Sequence, residues 1–135
     1  MNLTDKIPIS RIEYPKLILS VFENSVLHVF IKQDALIELV DIRVIEAYIK
    51  ALGPKKYLNL FEFANYASAD DSVRKWASDP AGNHHTIADA LVINGLDQKL
   101  IGEFYLKMNQ PVKPTKLFNN TQDAIAWLLT FSLEG

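Results

Sequence analysis

The sequence has no cysteine among its 135 residues, which excludes disulfides, thiolate metal sites and cysteine nucleophiles at once. That composition suits a reducing cytoplasm. Glycine is scarce at five residues, and no Gly-rich phosphate loop is assembled from them. No apolar run approaches the roughly 18 residues of a membrane span. The opening segment, MNLTDKIPISRIEYPK, carries charges where a signal peptide would be apolar. Neither sign of charge dominates: 14 basic and 16 acidic residues leave a formal net charge of −2, too little positive charge for a nucleic-acid footprint. The expectation is a soluble cytoplasmic protein with no membrane span and no nucleic-acid partner.

What is present is ordinary globular usage, 49% hydrophobic and 22% charged, at a length that suits one domain. A chain of this size buries roughly two thirds of its unfolded surface, enough for one core. Residues 1–16, with Pro8 and Pro15, read as an arm or edge strand, and residues 17–135 as a single α/β domain.

Leu17–Phe22 and Val26–Ile31 are β-rich runs joined by Glu23, Asn24 and Ser25, which predicts a hairpin. Ile42, Ile45, Ile49 and Leu52 fall at helical spacing, with Asp41 as N-cap and Gly53-Pro54 as the stop. Tyr57–Phe63 alternates as a strand does. Ser68 followed by Asp71 resembles a capping box opening a short helix through Trp76. Ile87 and its successors begin ambiguously, but Ala90–Ile93 reads as a buried strand. Gln98–Asn109 is an amphipathic helix with Leu100, Ile101, Phe104, Tyr105 and Met108 on its apolar stripe. Thr115–Phe118 is a short strand, and Asn120 with Asp123 caps a last helix facing inward with Ala124, Ile125, Trp127, Leu128 and Phe131. Alternating strands and helices predict a largely parallel sheet, antiparallel only at the hairpin. The central strands are Tyr57–Phe63 and Ala90–Ile93, and four helices flank them.

The second half has a cadence of its own: YLNLFEF into a capped helix, ADALVI into LIGEFYLKMNQP, then KPTKLF into DAIAWL. With the closing pattern of Phe118, Ala124, Trp127 and Leu128, residues 20–131 resemble the STAS-like bacterial domains, relatives of the anti-sigma-factor antagonists (SpoIIAA-like). The resemblance implies a mixed sheet of four to five strands with helices mainly on one face. It also implies a non-enzymatic interaction or regulatory role, exercised through protein contact. In those antagonists a phosphorylatable serine opens the helix after the central strand, within an Asp-Ser-Ser-Gly-like motif. The matching stretch here is Ala67 to Ser72, where Asp71-Ser72 is followed by Val73 and Arg74 and not by Ser-Gly.

Ser68 and Ser72 are therefore the candidates for phosphorylation or partner contact. Phosphate gains from a helix N-terminus, but Asp70 and Asp71 would repel it, and an N-cap role accounts for Ser68 at about 1 kcal/mol. If helical, His85 and Asp89 share one face beside His84, yet they fall short of a spaced metal motif, and a solvated pair of histidines is the plainer reading. His28 sits in a strand and packs or faces the sheet edge. No Gly-x-Ser-x-Gly elbow is present, and capping accounts for Asp70-Asp71. The expectation is a protein without catalytic residues, metal or cofactor.

Phe104, Tyr105 and Met108 are candidates for an apolar groove. The alternative function is accordingly a carrier of a small apolar, lipid-like ligand, with its pocket between helix 98–109 and the sheet. A cavity of several hundred Å³ lined by those three residues would favour the carrier; a filled core with an exposed helix face would favour an interaction module. The protein partner is not identified by the sequence. A homodimer through the apolar hairpin LILSVFENSVLHVFIK is one expectation, and residues 1–16 folding back over it is the other.

Overall fold

Strand order in space repeats strand order in the chain. The structure, a computed structural model, describes residues 7–82 and 84–131. Its main sheet runs β1 (Ser10–Glu13), β2 (Leu17–Val21), β3 (Val26–Ile31), β5 (Tyr57–Phe63), β7 (Thr86–Val92) and β8 (Thr115–Phe118). The first three strands are antiparallel neighbours, and β3, β5, β7 and β8 are parallel. A second, two-stranded parallel sheet pairs β4 (Leu36–Ile37) with β6 (Ser68–Ala69). The four helices are α1 (Leu39–Ala51), α2 (Asp71–Ser78), α3 (Leu96–Phe104) and α4 (Thr121–Leu128); α3 continues as a π turn over Tyr105–Asn109.

The main sheet thus has six strands, more than the four to five expected. The added strand is β1, an edge strand within the segment read as an arm or edge strand; its prolines flank the paired residues without interrupting them. Antiparallel pairing therefore extends beyond the hairpin to β1–β2. Residues 1–6 of that arm lie outside the described residues.

Period-two alternation sets the two faces. Register places Ile12, Leu19, Val29, Phe61, Leu91 and Leu117 side by side across all six strands. The neighbouring row, on the opposite face, is Arg11, Ser20, His28, Leu60, Ala90 and Lys116. The first of these rows is apolar along its whole width. Right-handed connections between successive parallel neighbours put their helices on one side of a sheet. Accordingly Ile42, Ile45 and Ile49 of α1 and Val73 of α2 pack in the first-face core, and α3 lies over the same side.

The opposite face is apolar over β5, β7 and β8 and at Val26 of β3, and α4 covers that part with Ala124, Ile125 and Leu128. Trp127 and Phe131 are only partly buried there, so the inward face of α4 is narrower than its sequence suggests. Around β3 the same face carries polar pairs: His28 Nε2 lies 2.9 Å from Glu62 Oε1, and Lys32 Nζ lies 2.6 Å from Glu13 Oε2.

Three local boundaries differ from expectation, each for a local reason. The N-cap of α1 is Glu38, and Asp41 closes the first turn from inside by accepting the Glu38 N–H at 2.9 Å. The N-cap of α2 is Asp70, whose Oδ1 accepts the Asp71 N–H at 2.8 Å; Ser68 belongs to β6 instead. β7 begins at Thr86, so Ile87 and Ala88 are extended, with a register irregularity opposite Tyr57–Leu58.

Candidate functional site

Parallel strands buried on both sides usually read as unbroken apolar runs, so polar side chains inside one are conspicuous. Asn59 on β5 and Asp89 on β7 are paired in register on the first face, and both are buried. The Asn59 amide donates to Thr86 Oγ1 at 2.7 Å and to Asp89 Oδ1 at 3.0 Å. Lys113 Nζ closes the same corner by donating to the Thr86 carbonyl at 2.9 Å.

Next to this cluster lies a cavity of about 110 Å³ between the first face and helices α1, α2 and α3. Its floor is Val29, Ile31, Phe61, Phe63 and Leu91, and its helical walls include Ile42, Ile45, Trp76 and Ile101. Ile37, Ser68 and Ala69 of the small sheet bound it, so the β4–β6 pair closes the end near the carboxyl termini of β3 and β5. The polar groups on its lining are few: Asp89, Arg74, Gln98, Tyr105 and Ser68.

Each of these is held by a distinct device. Gln98 is buried although it sits in the first turn of α3, because its Nε2 donates to the carbonyls of Ala64 (2.7 Å) and Ala67 (3.0 Å) while its Oε1 accepts the Asn94 N–H (2.5 Å). That side chain pins the start of α3 to the loop leaving β5. Arg74 Nη1 donates to the Ala69 carbonyl, and Nη2 lies 3.7 Å from Asp71 Oδ1. Its Nε is buried with no hydrogen-bond partner among the described residues, as is Asn59 Oδ1. Burial, and secondarily the negative charge of Asp89, push the Tyr105 phenol far above its ordinary pKa, so it remains protonated.

Gly102 sits where α3 approaches β8. A Cβ there would meet Leu117 Cδ2 at 2.8 Å, so a side chain at this position would displace the Leu117 side chain. Tyr105 follows at the start of the π turn and is buried against the cavity, whereas its neighbour Phe104 is 55% exposed. Leu96, Leu100, Phe104 and Met108 recur every four residues and all face solvent, at 55–70% exposure. The apolar stripe of this helix is therefore split. Tyr105 and Gly102 turn inward, and Leu100, Phe104 and Met108 form an outer face rimmed by Lys99, Glu103 and Lys107. Of the three groove candidates only Tyr105 lines the cavity.

Ser68 lines the cavity from β6, and its backbone N–H is tied to the Ala35 carbonyl at 2.9 Å. Ser72 lies in the first turn of α2 with its Oγ donating to Asp70 Oδ2 at 2.8 Å. The two serines belong to different elements and do not share a site. His84 and His85 lie with ring centroids 4.9 Å apart and planes tilted by 46°, beside an open depression edged by Glu46, Lys50 and Lys55. Asp89 is not with them: the intervening chain is strand, and four residues of strand span about 13 Å. Among the described residues no three His, Asp or Glu side chains are grouped to hold a metal. Likewise, no helix among them is long and apolar enough to cross a membrane.

Asp89 had one sequence signal, a carboxylate inside the apolar run IADALVI. Arg74, Asn59 and Gln98 had none, since nothing local distinguishes a buried polar side chain from a solvated one. A family model described as Domain of unknown function (DUF7793) matches residues 20–132. No curated protein and no solved structure shows a match.

Proposed function

We propose that this chain, which belongs to the Domain of unknown function (DUF7793) family, is a non-enzymatic interaction domain that holds a protein partner on the outer face of α3. The observation that carries the reading is the row of Leu96, Leu100, Phe104 and Met108, four large apolar side chains aligned on one exposed helix face. Single exposed leucines are ordinary on protein surfaces, but a contiguous apolar patch with a charged rim marks a contact site. An amphipathic groove or helix on the partner would bury the row through anchors spaced one turn apart.

A STAS-like regulatory role is part of the same proposal. Its support is the cadence of the second half and a sheet in chain order with three helices on one face. The phosphoserine mechanism of that group has less support, because the Ser72 hydroxyl is already engaged by the Asp70 carboxylate, which would repel a phosphoryl group. The lipid-carrier alternative also has less support: about 110 Å³ is well under the roughly 300 Å³ at which drug-sized ligand pockets begin.

The test is a Leu100→Glu/Phe104→Glu double variant, compared with wild type by light scattering and by co-purification from the native host. Both side chains are more than half exposed, so the variant should melt within a few degrees of wild type while losing its associations. A variant that keeps every association of the wild type refutes the reading.

A further inference from the structure

We propose that the cavity beneath α3 is a binding site for a small neutral aromatic compound, a single ring bearing one hydroxyl or carbonyl oxygen. The site uses the inner side of the helix and does not depend on the docking role of its outer side. Size restricts the ligand first. The cavity measures about 110 Å³, less than the roughly 150 Å³ of an apolar protein cavity that accepts benzene, so size limits the ligand to one small ring and excludes an acyl chain.

Place and lining agree with that size. Ile31, Phe63 and Ile93 stand at or just past the carboxyl ends of β3, β5 and β7, the end of an open α/β sheet where ligands are usually received. Phe61, Phe63 and Trp76 offer edges and faces against which a ring packs at favourable offset geometry.

The polar groups select the rest of the ligand. Arg74 lines the cavity, and its buried Nε–H has no acceptor among the described residues while its other nitrogens are directed to Ala69 and Asp71. A buried donor without a partner is costly, and an oxygen on the ligand would supply one. Neither sign of charge is favoured by the whole lining. Asp89 repels an anion that the Arg74 guanidinium would attract, and Arg74 repels a cation that Asp89 would attract. The helix also departs from α geometry here: Tyr105, at the start of the π turn, faces the cavity, and π turns recur at functional sites.

The full chain, titrated with phenol, benzamide, benzoate and benzylammonium and followed by amide NMR, gives the test. Phenol or benzamide should saturate, with the largest shifts at Ile101, Gly102 and Tyr105 and with nuclear Overhauser contacts from the ring to the Val29 and Ile101 methyl groups. Ala77→Leu fills the cavity from α2 and should abolish binding without loss of the fold. Arg74→Met should weaken phenol about tenfold, the equivalent of one lost hydrogen bond, and leave benzene unaffected. Absence of saturable binding by either neutral compound overturns the proposal, as do ring contacts to other residues or benzoate binding more tightly than phenol. The contacts are read on the wild-type chain, so the outcome stands even if Ala77→Leu misfolds.

Discussion

Asn59 and Asp89 face each other on adjacent parallel strands, and the asparagine amide spans them with a 3.0 Å hydrogen bond to the carboxylate in the buried face of the sheet. The same amide reaches Thr86 Oγ1, so one side chain serves two neighbours on β7. Asn59→Ala removes both bonds and leaves their partners in a buried setting. The expected loss is about 2–3 kcal/mol, measured by urea unfolding. A loss within experimental error would show that these bonds contribute nothing net to stability.

The first turn of α1 depends on Asp41, which accepts the Glu38 N–H and also pairs with Lys16 at 3.0 Å. Asp41→Ala should cost about 1–2 kcal/mol, chiefly through the helix terminus, because an ion pair reaching solvent adds little. Raising the salt concentration separates the two contributions. The capping loss persists in high salt and the ion-pair part fades.

Burial, then the neighbouring His84, lower the His85 pKa from its ordinary 6.5, with Glu46 acting in the opposite sense. The unfolded chain therefore binds more protons than the folded one near and below that value. Stability at this site is fully present above the unfolded pKa and is lost as pH falls through it. His85→Gln should reduce the drop in melting temperature between about pH 7.5 and about pH 5.5. An identical drop in the variant would remove His85 as a contributor.

Gly82 closes the turn after α2, with its N–H on the Asp79 carbonyl at 3.0 Å. A Cβ there would sit 2.3 Å from the Trp76 carbonyl oxygen and 2.9 Å from Trp76 Cδ1. The obstruction includes backbone, so the turn itself must move. Gly82→Ala should destabilise by about 1–3 kcal/mol in thermal or denaturant melts, and the Trp76 fluorescence should shift as its ring is displaced.

These side chains show where sequence reasoning reaches and where it stops. Tyr57–Phe63 and Thr115–Phe118 were legible to the residue, because alternation bounded by turn residues is a local property. So was the Asn120 cap, whose Oδ1 accepts the Asp123 N–H at 2.8 Å. At α1 the statistics of capping favoured Asp41 over Glu38, although both take part in the real terminus. β7 was read short because Ile87 to Ala90 fits helical and extended patterns equally well. β1 was left open between an arm and an edge strand because four residues flanked by prolines and charges have little pattern of their own; pairing with β2 makes them a strand. A pocket between helix 98–109 and the sheet, with Tyr105 on it, was one of the two readings, but its polar lining was beyond reach. Arg74, Asp89 and the helix carrying Gln98 and Tyr105 are three separate elements, and only tertiary packing brings them together. The helix 98–109 was recognised, but that Phe104 faces outward and Tyr105 inward comes only with its packing on the sheet, where Gly102 lies against Leu117.

Coincidence of spatial and chain order has a consequence for assembly. Each strand of the main sheet, on joining, finds its one earlier neighbour already in place at the growing edge. No later strand is inserted between two earlier ones, and no early strand waits unpaired for a distant partner. A chain emerging from its N-terminus can therefore add β-structure by accretion, with β1, β2 and β3 as a seed built wholly from local hairpin contacts. Helix α4, the last element among the described residues, seals the apolar patch on the far side that β5, β7 and β8 would otherwise leave wet.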